Sequence, residues 1–443
     1  MKRTLLLLSL AVAGAPAFGA DLIQVYRDAL GYDAQYASAK AALEAGLEKL
    51  PQGRSGLLPT IGVGASTVWN DVDFVKRVDP RTTLNTKYNT NGYLLTLTQP
   101  VFRWQNIVAY DQSKLMVAQA EAQFVQAKQD LVLRVAQAYF DVLLAQDSLA
   151  LARTQKTAIS EQLEQAKRNF EVGTSTITDT HEAQARFDLT VAQEIAALND
   201  LEIKRQTLRQ VIGKVPETLS VLRSQVQLQR PQPDDMAKWV DAAEQGNPLV
   251  AVAQAGLEIA AKEAEKQRAG HLPTLDLVAT RGRSSATGAL VLGTVAPGSD
   301  TDTTTVGLQL TLPLFAGGAV MSKDREAVAL REKALADLEY IRRTAALSAR
   351  QAYLGVTNGM AQVKAFEQAL VSSQSALDSN KLGYEVGVRI NIDVLNAQQQ
   401  VFSTKRDLAK ARYDTLLAQL KLKAASGSLA EEDVQAINAL LGQ

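Results

Sequence analysis

Catalysis needs nucleophiles, acid–base groups or metal ligands, and this chain holds few of them in working arrangements. It has no cysteine, which excludes disulfides, thiolate nucleophiles, thiolate metal sites and a lipid-modified N-terminal Cys. Its two histidines, His181 and His271, stand far apart with no carboxylate at ligand spacing, so a surface or packing role fits them better than a metal. Gly62-Val-Gly64 and Gly317-Gly318 lack the context of a phosphate loop and read as strand and corner glycines. No nucleotide-binding motif, cofactor motif or catalytic constellation results, and this argues against an enzyme. Lys plus Arg number 47 and Asp plus Glu 47, so no basic excess draws nucleic acid.

The carboxylates worth following sit in a repeated setting. Phe170-Glu-Val-Gly-Thr-Ser-Thr-Ile-Thr-Asp179 has a twin, Tyr384-Glu-Val-Gly-Val-Arg-Ile-Asn-Ile-Asp393, 214 positions downstream. The same offset relates Leu58-Pro-Thr to Leu272-Pro-Thr, Ala42-Leu-Glu to Gly256-Leu-Glu and Gln137-Ala-Tyr to Gln351-Ala-Tyr. At an offset of 213, Leu95-Thr-Leu-Thr-Gln-Pro-Val-Phe102 answers Leu308-Gln-Leu-Thr-Leu-Pro-Leu-Phe315. The chain is a tandem duplication: a first repeat over 21–213, a linker over 214–234, a second repeat over 235–427 and a closing helix over 428–443. Taken alone, each Val-Gly followed six residues on by Asp is a helical-hairpin turn with an N-cap.

The elements that must position these turns follow from hydrophobic period. Residues 1–20 read as a secretory signal, with Lys2 and Arg3, an apolar run from Leu5 to Val12, and cleavage after Ala17 or Ala20. Beyond it no apolar run is long enough for a transmembrane helix, so membrane insertion must use strands. Residues 21–50 read as one amphipathic helix stopped by Pro51 and the Gly53-Arg-Ser-Gly56 run. From Leu58 to Asn70 the period is two, with Ile61, Val63, Ala65 and Trp69 on one face and Thr60, Gly62, Gly64 and Ser66 on the other. A polar loop is expected over 71–91, then a strand over 92–99; the second copy repeats the scheme around a loop near 282–303. Strands of about ten residues, apolar on one face and small or polar on the other, fit a membrane barrel wall as well as an ordinary half-buried hairpin. Four strands cannot close a barrel with a lumen, which takes about eight, so closure demands several chains. Trp69 and Trp104 are candidate interface anchors, Trp104 equally a core residue.

Helical period then takes over. A heptad over 103–170 places Phe124, Leu131, Ala138, Ala145, Ala152, Ile159 and Ala166 in register, interleaved with Val135, Val142, Leu149, Leu163 and Phe170 and broken only by Lys156. Such a rod is about 100 Å long. A return helix over 177–213 carries Phe187, Val191, Leu198, Leu201, Leu208 and Ile212 on its seam. The second copy repeats both rods over 320–384 and 391–427, and 235–270 is helical. Ser428 with Glu431 reads as the cap of the closing helix.

Two copies of strand pair, long helix, Val-Gly turn and return helix behind a signal segment resemble the TolC family of outer-membrane channel-tunnels. The paired Leu-Pro-Thr strand starts, the Gln99-Pro-Val-Phe102 and Leu312-Pro-Leu-Phe-Ala-Gly-Gly318 corners and the two turns carry the likeness. The stretch Ala411-Arg-Tyr-Asp, Leu422-Lys-Ala-Ala-Ser-Gly-Ser-Leu429 and the closing helix look closest to it. The resemblance implies a mostly α protein with a β-barrel part. Three chains would share one 12-stranded outer-membrane barrel, joined to a periplasmic α-helical barrel with an equatorial belt.

It also implies roles. The tips, with Val172, Gly173, Val386 and Gly387, would close the tunnel and receive a periplasmic membrane-fusion adaptor, while an inner-membrane transporter of RND, ABC or MFS type supplies energy. Tyr384 and Arg389 would bond across to Thr178 and Asp179, and Asp393 would join an acidic ring in the aperture. The chain departs from the family at Asn396, where a second ring carboxylate is expected, and a weaker cation preference follows. No cofactor or metal is implied, and the cargo, drugs or secreted protein, stays open. The rival from another class is a non-channel periplasmic scaffold or adaptor, which would show one hairpin and a lipoyl-like β module.

Overall fold

The computed structural model describes residues 20–77, 81–214, 216, 218–223, 226–291 and 294–442, with Thr82 described by its backbone alone. The signal segment and its Ala17 cleavage point lie outside the described residues. In chain order the elements are α1 (Leu22–Tyr32), α2 (Ala34–Leu47), α3 (Lys49–Ser55), β1 (Thr60–Lys76), β2 (Thr82–Phe102), α4 (Trp104–Glu171) and α5 (Ile177–Ile212). After the linker come α6 (Met236–Gly246), α7 (Pro248–Arg268), β3 (Thr274–Val291), β4 (Thr294–Thr311), α8 (Ala319–Glu385), α9 (Asn391–Ala425) and α10 (Glu431–Asn438). The second half repeats the first: strand pair, long helix, tight turn, return helix. The chain divides into two compact units. Among the described residues no helix is long and apolar enough to cross a membrane.

One unit spans 42–122 and 252–340 and contains the sheet. Its four strands are antiparallel in the order β1-β2-β3-β4, so β1 and β4 are edges without partners among the described residues. The strands are far longer than the sequence suggested. β1 pairs with β2 from Thr60 opposite Thr98 up to Lys76 opposite Thr82, and β3 with β4 from Thr274 opposite Thr311 up to Val291 opposite Thr294. Within the loops expected over 71–91 and 282–303, residues 71–76, 82–91, 282–291 and 294–303 are therefore strand. Polar side chains disguise a strand without breaking it, because the backbone ladder forms whatever the face carries. Here they pair across strands: Asn85 donates to Asp73 at 2.5 Å, Lys87 meets Asp71 at 2.9 Å and Asn89 donates to Thr67 at 3.1 Å. The alternation itself holds, and Ile61, Val63, Val306, Leu308 and Leu310 lie strongly exposed on one face with Trp69, 83% exposed. At the corner after β2, Arg103 grips the buried Asp276 of β3 through two bonds of 2.7 and 2.6 Å.

The other unit spans the described residues through Ala41, then 123–251 and 341–442. Its main core gathers Leu22 and Val25 of α1, Leu131 to Leu149 of α4, Leu201, Leu208 and Ile212 of α5, Leu416 and Leu420 of α9, and Val434 and Ile437 of α10. Tyr139, fully buried, donates its hydroxyl to the Ser220 carbonyl at 2.7 Å. Phe140 stacks on Tyr413 at 5.6 Å, and the Tyr413 hydroxyl donates to Asp147 at 2.8 Å.

Several expected boundaries move, each for a local reason. The helix expected over 21–50 breaks at Asp33, whose backbone is extended. Its carboxylate accepts from the Tyr36 amide at 2.6 Å, capping α2, and from Arg134 at 2.8 Å. Helix then continues past Pro51, which sits in the first turn of α3 where its missing N–H costs nothing. The helix expected over 235–270 breaks at Asn247, whose side-chain oxygen caps α7 through the Leu249 amide at 2.8 Å. The closing helix starts at Glu431, with Asp433 accepting from the Ala430 amide, so Ser428 is not its cap. On the seams Phe170 and Leu198 are exposed, while Lys156 interrupts the heptad in order to donate to Glu194 at 2.7 Å. That bond, with Arg153 adding to it, holds the Glu194 carboxyl below its ordinary range.

Candidate gating site at the helical tips

Both tips are built alike. Gly173 and Gly387 adopt φ of 78° and 79°, the left-handed region that closes a helix C-terminus and favours glycine. At the first tip the Asn169 carbonyl accepts from the Thr174 and Ser175 amides at 2.8 and 3.2 Å. At the second the Gly383 carbonyl accepts from the Val388 and Arg389 amides at 2.8 and 3.0 Å. The turns leave Val172, Val386, Val388 and Ile390 strongly exposed. An apolar turn held out into solvent is a surface suited to a partner.

The two return helices start differently. Thr176 and Asp179 form a capping box: Thr176 Oγ1 accepts from the Asp179 amide at 3.3 Å, and the Asp179 carboxylate accepts from the Thr176 amide at 3.0 Å. α9 has only Ile390 at its cap position, with no side-chain bond.

Asp179 thus spends its carboxylate on its own helix, and within this chain neither it nor exposed Thr178 receives Tyr384 or Arg389. The Tyr384 hydroxyl accepts from Asn169 Nδ2 at 3.1 Å, and Arg389 meets Asp393 at 3.6 Å, one turn on. Gly383 makes room for that arginine: a Cβ there would stand 2.7 Å from Arg389 Cγ. Asn396, exposed, accepts from Arg186 Nη2 at 2.7 Å.

Sequence reasoning missed the groups that join the two hairpins. Gln155, Gln162 and Asn169 lie seven residues apart on α4, and each amide donates across to the second copy. Gln155 reaches Gln399 at 2.5 Å, Gln162 reaches the buried Asn391 at 2.6 Å and Asn169 reaches Tyr384. The signal was present as amides at heptad spacing, but polar residues beside an apolar seam read as solvated until the facing helix is known. These rungs carry no charge. Each exchanges readily with water, with a net worth of about 0.5–1.5 kcal/mol. Among the described residues no carboxylate or histidine cluster could hold a metal.

The family described as "Outer membrane efflux protein" matches residues 25–214 and 239–428, one block in each copy. The chain is 32% identical to Outer membrane protein TolC of Vibrio cholerae over 444 residues, covering 99% of this chain and 98% of that protein. It is also 32% identical to the Alkaline protease secretion protein AprF of Pseudomonas aeruginosa, covering 96% and 88%. The fold matches the crystal structure of the CmeC outer membrane channel of Campylobacter jejuni with a TM-score of 0.79 at 18% identity, covering 95% of this chain and 90% of that one.

Proposed function

The chain belongs to the outer membrane efflux protein family, and from that premise we propose that three copies form an exit duct gated at its helical tips. The observation that carries this reading is the open sheet. β1 and β4 present 17 and 18 residues of unpaired edge, a liability that closure with further copies removes. Three four-stranded sheets make a twelve-stranded barrel, wide enough for a lumen, with the exposed Ile61, Val63, Leu308 and Leu310 face toward lipid. The scaffold alternative loses its footing with family membership, since there are two complete helical hairpins and each follows a strand pair.

The duct serves drug efflux, protein secretion or both. Identity does not separate these, because the protease-secretion relative AprF is no more similar, at 32%, than the Outer membrane protein TolC of Vibrio cholerae. The channel is passive. A periplasmic adaptor docks on the exposed Val172-Gly173 and Val386-Gly387 turns, and an inner-membrane transporter drives the cargo. The gate is the contact set around Tyr384, Arg389, Thr178, Asp179, Asp393 and Asn396, with Asn169 as the partner of Tyr384 inside one chain.

Planar-bilayer conductance of the purified protein tests this directly. Small wild-type openings that widen severalfold when Tyr384→Phe and Arg389→Ser are combined would place the gate at the tips. Openings unchanged by the double variant would move the gate elsewhere, and a non-conducting, non-trimeric species would sink the duct itself.

A further inference from the structure

On the reading of the sheet as a barrel wall, its apolar face has a polar rim, and among the described residues the rim holds one cation without a protein partner. Along β3 the residues of that face are Leu275, Leu277 and Ala279, then Arg281 and Arg283. The neighbouring strands change character at the same level: Leu97, Leu95 and Tyr93 give way to Asn91 on β2, and Leu308 and Val306 to Thr304 on β4.

The two arginines differ. Arg283 lies opposite Asp302 and bonds Asp300 at 2.8 Å, so β4 supplies its counter-charge. Arg281 lies opposite Leu95 on one side and Thr304 on the other; it is exposed and makes no hydrogen bond or ion pair among the described residues. Tyr93, half exposed, is its diagonal neighbour. A guanidinium at the edge of hydrocarbon reaches outward along its stem and takes an anion, and phosphate, the anion common to phospholipid headgroups, matches its planar fork. An amphipathic ring beside it belongs at that same depth.

We propose that Arg281, flanked by Tyr93, binds the phosphate of a lipid headgroup at the rim of the apolar face. The site holds a lipid in register against the wall, whereas Arg283 is a structural ion pair.

Full-length protein in phosphatidylcholine nanodiscs doped with phosphatidic acid tests the assignment, with retained lipid read by native mass spectrometry. Wild type should enrich phosphatidic acid about fivefold over the neutral lipid, the factor expected of one basic side chain at an anionic surface. Arg281→Gln should abolish that enrichment, and Arg283→Gln should keep most of it. Equal enrichment in Arg281→Gln, or displacement of the lipid by millimolar inorganic phosphate, overturns the site. Conductance of the same preparations separates the two levels. A conducting wild type without enrichment sinks the lipid site alone, whereas a protein that never conducts sinks the barrel reading beneath it.

Discussion

The same helices pack in two different ways along their length. Around Leu131–Leu149 of α4, the seam is aliphatic and aromatic and merges with α1, α5, α9 and α10 into one continuous core. Nearer the tips the apolar contacts shrink to small separate clusters, Ile159, Leu163, Ala166, Ala183 and Leu395 in one, Leu377, Val394 and Val401 in another. Between the hairpins there, amide rungs take over. Separating the first region would return buried aromatic and aliphatic surface to water, at about 25 cal/mol per Å². Separating the second exchanges neutral hydrogen bonds for water. A gate belongs where opening is the cheaper exchange.

The largest expected effect tests the rigid end. Leu416→Ala, at a fully buried position, should cost about 2–5 kcal/mol, read as a lowered thermal midpoint, with single-channel conductance unchanged. Equal effects on both readouts would erase the distinction between the regions.

Next, Gln162→Ala strands the side-chain oxygen of the buried Asn391 without its 2.6 Å donor, a loss of about 1–3 kcal/mol. On the proposed gating that loss falls on the closed tip, so channel openings should lengthen or widen while the thermal midpoint falls less than in Leu416→Ala. A drop in midpoint as large as that of Leu416→Ala would make the rungs part of the core.

A pH experiment sharpens the contrast further. Burial raises the Asp147 carboxyl above its ordinary range despite the Tyr413 hydrogen bond, so the folded protein favours the protonated acid. A raised folded-state pKa contributes stability below the unfolded value, and that contribution is lost as pH climbs through the folded value. Asp147→Asn should therefore flatten the stability profile from the carboxylate range upward and match or exceed wild type at neutral pH. Conductance across the same range should stay flat in both proteins as far as the tip rungs govern it, because amides do not titrate there.

These contrasts were unevenly legible in the sequence. The duplication, the rods and the alternating strands show because period is a local property, and Ala152, Ile159 and Ala166 lie buried where the heptad puts them. The strand ends do not, since Thr83–Asn91 is composed like a loop and becomes strand only through its cross-strand partners. Asp33 reads as one more polar residue on a helix until Arg134, about a hundred positions away, turns it into a cap and ion pair. The tip is hard to read for the same reason. The partner of Tyr384 depends on which faces of two hairpins meet, and within one chain that puts Asn169 beside it while Asp179 serves its own helix.

The smallest effect concerns the missing ring carboxylate. Asn396 already accepts from Arg186 at 2.7 Å on the surface, so Asn396→Asp creates an exposed ion pair worth about 0–1 kcal/mol. The guanidinium that holds the amide would also neutralise the new charge. Asn396→Asp alone should therefore strengthen divalent-cation block of the channel only slightly. Combined with Arg186→Ala, the carboxylate is released, and in the proposed trimer three copies at one constriction would repel one another, so block should deepen clearly beyond either single variant. If Asn396→Asp alone gives the full increase, Arg186 does not hold position 396 in the assembled tip, and the contact belongs to the isolated chain.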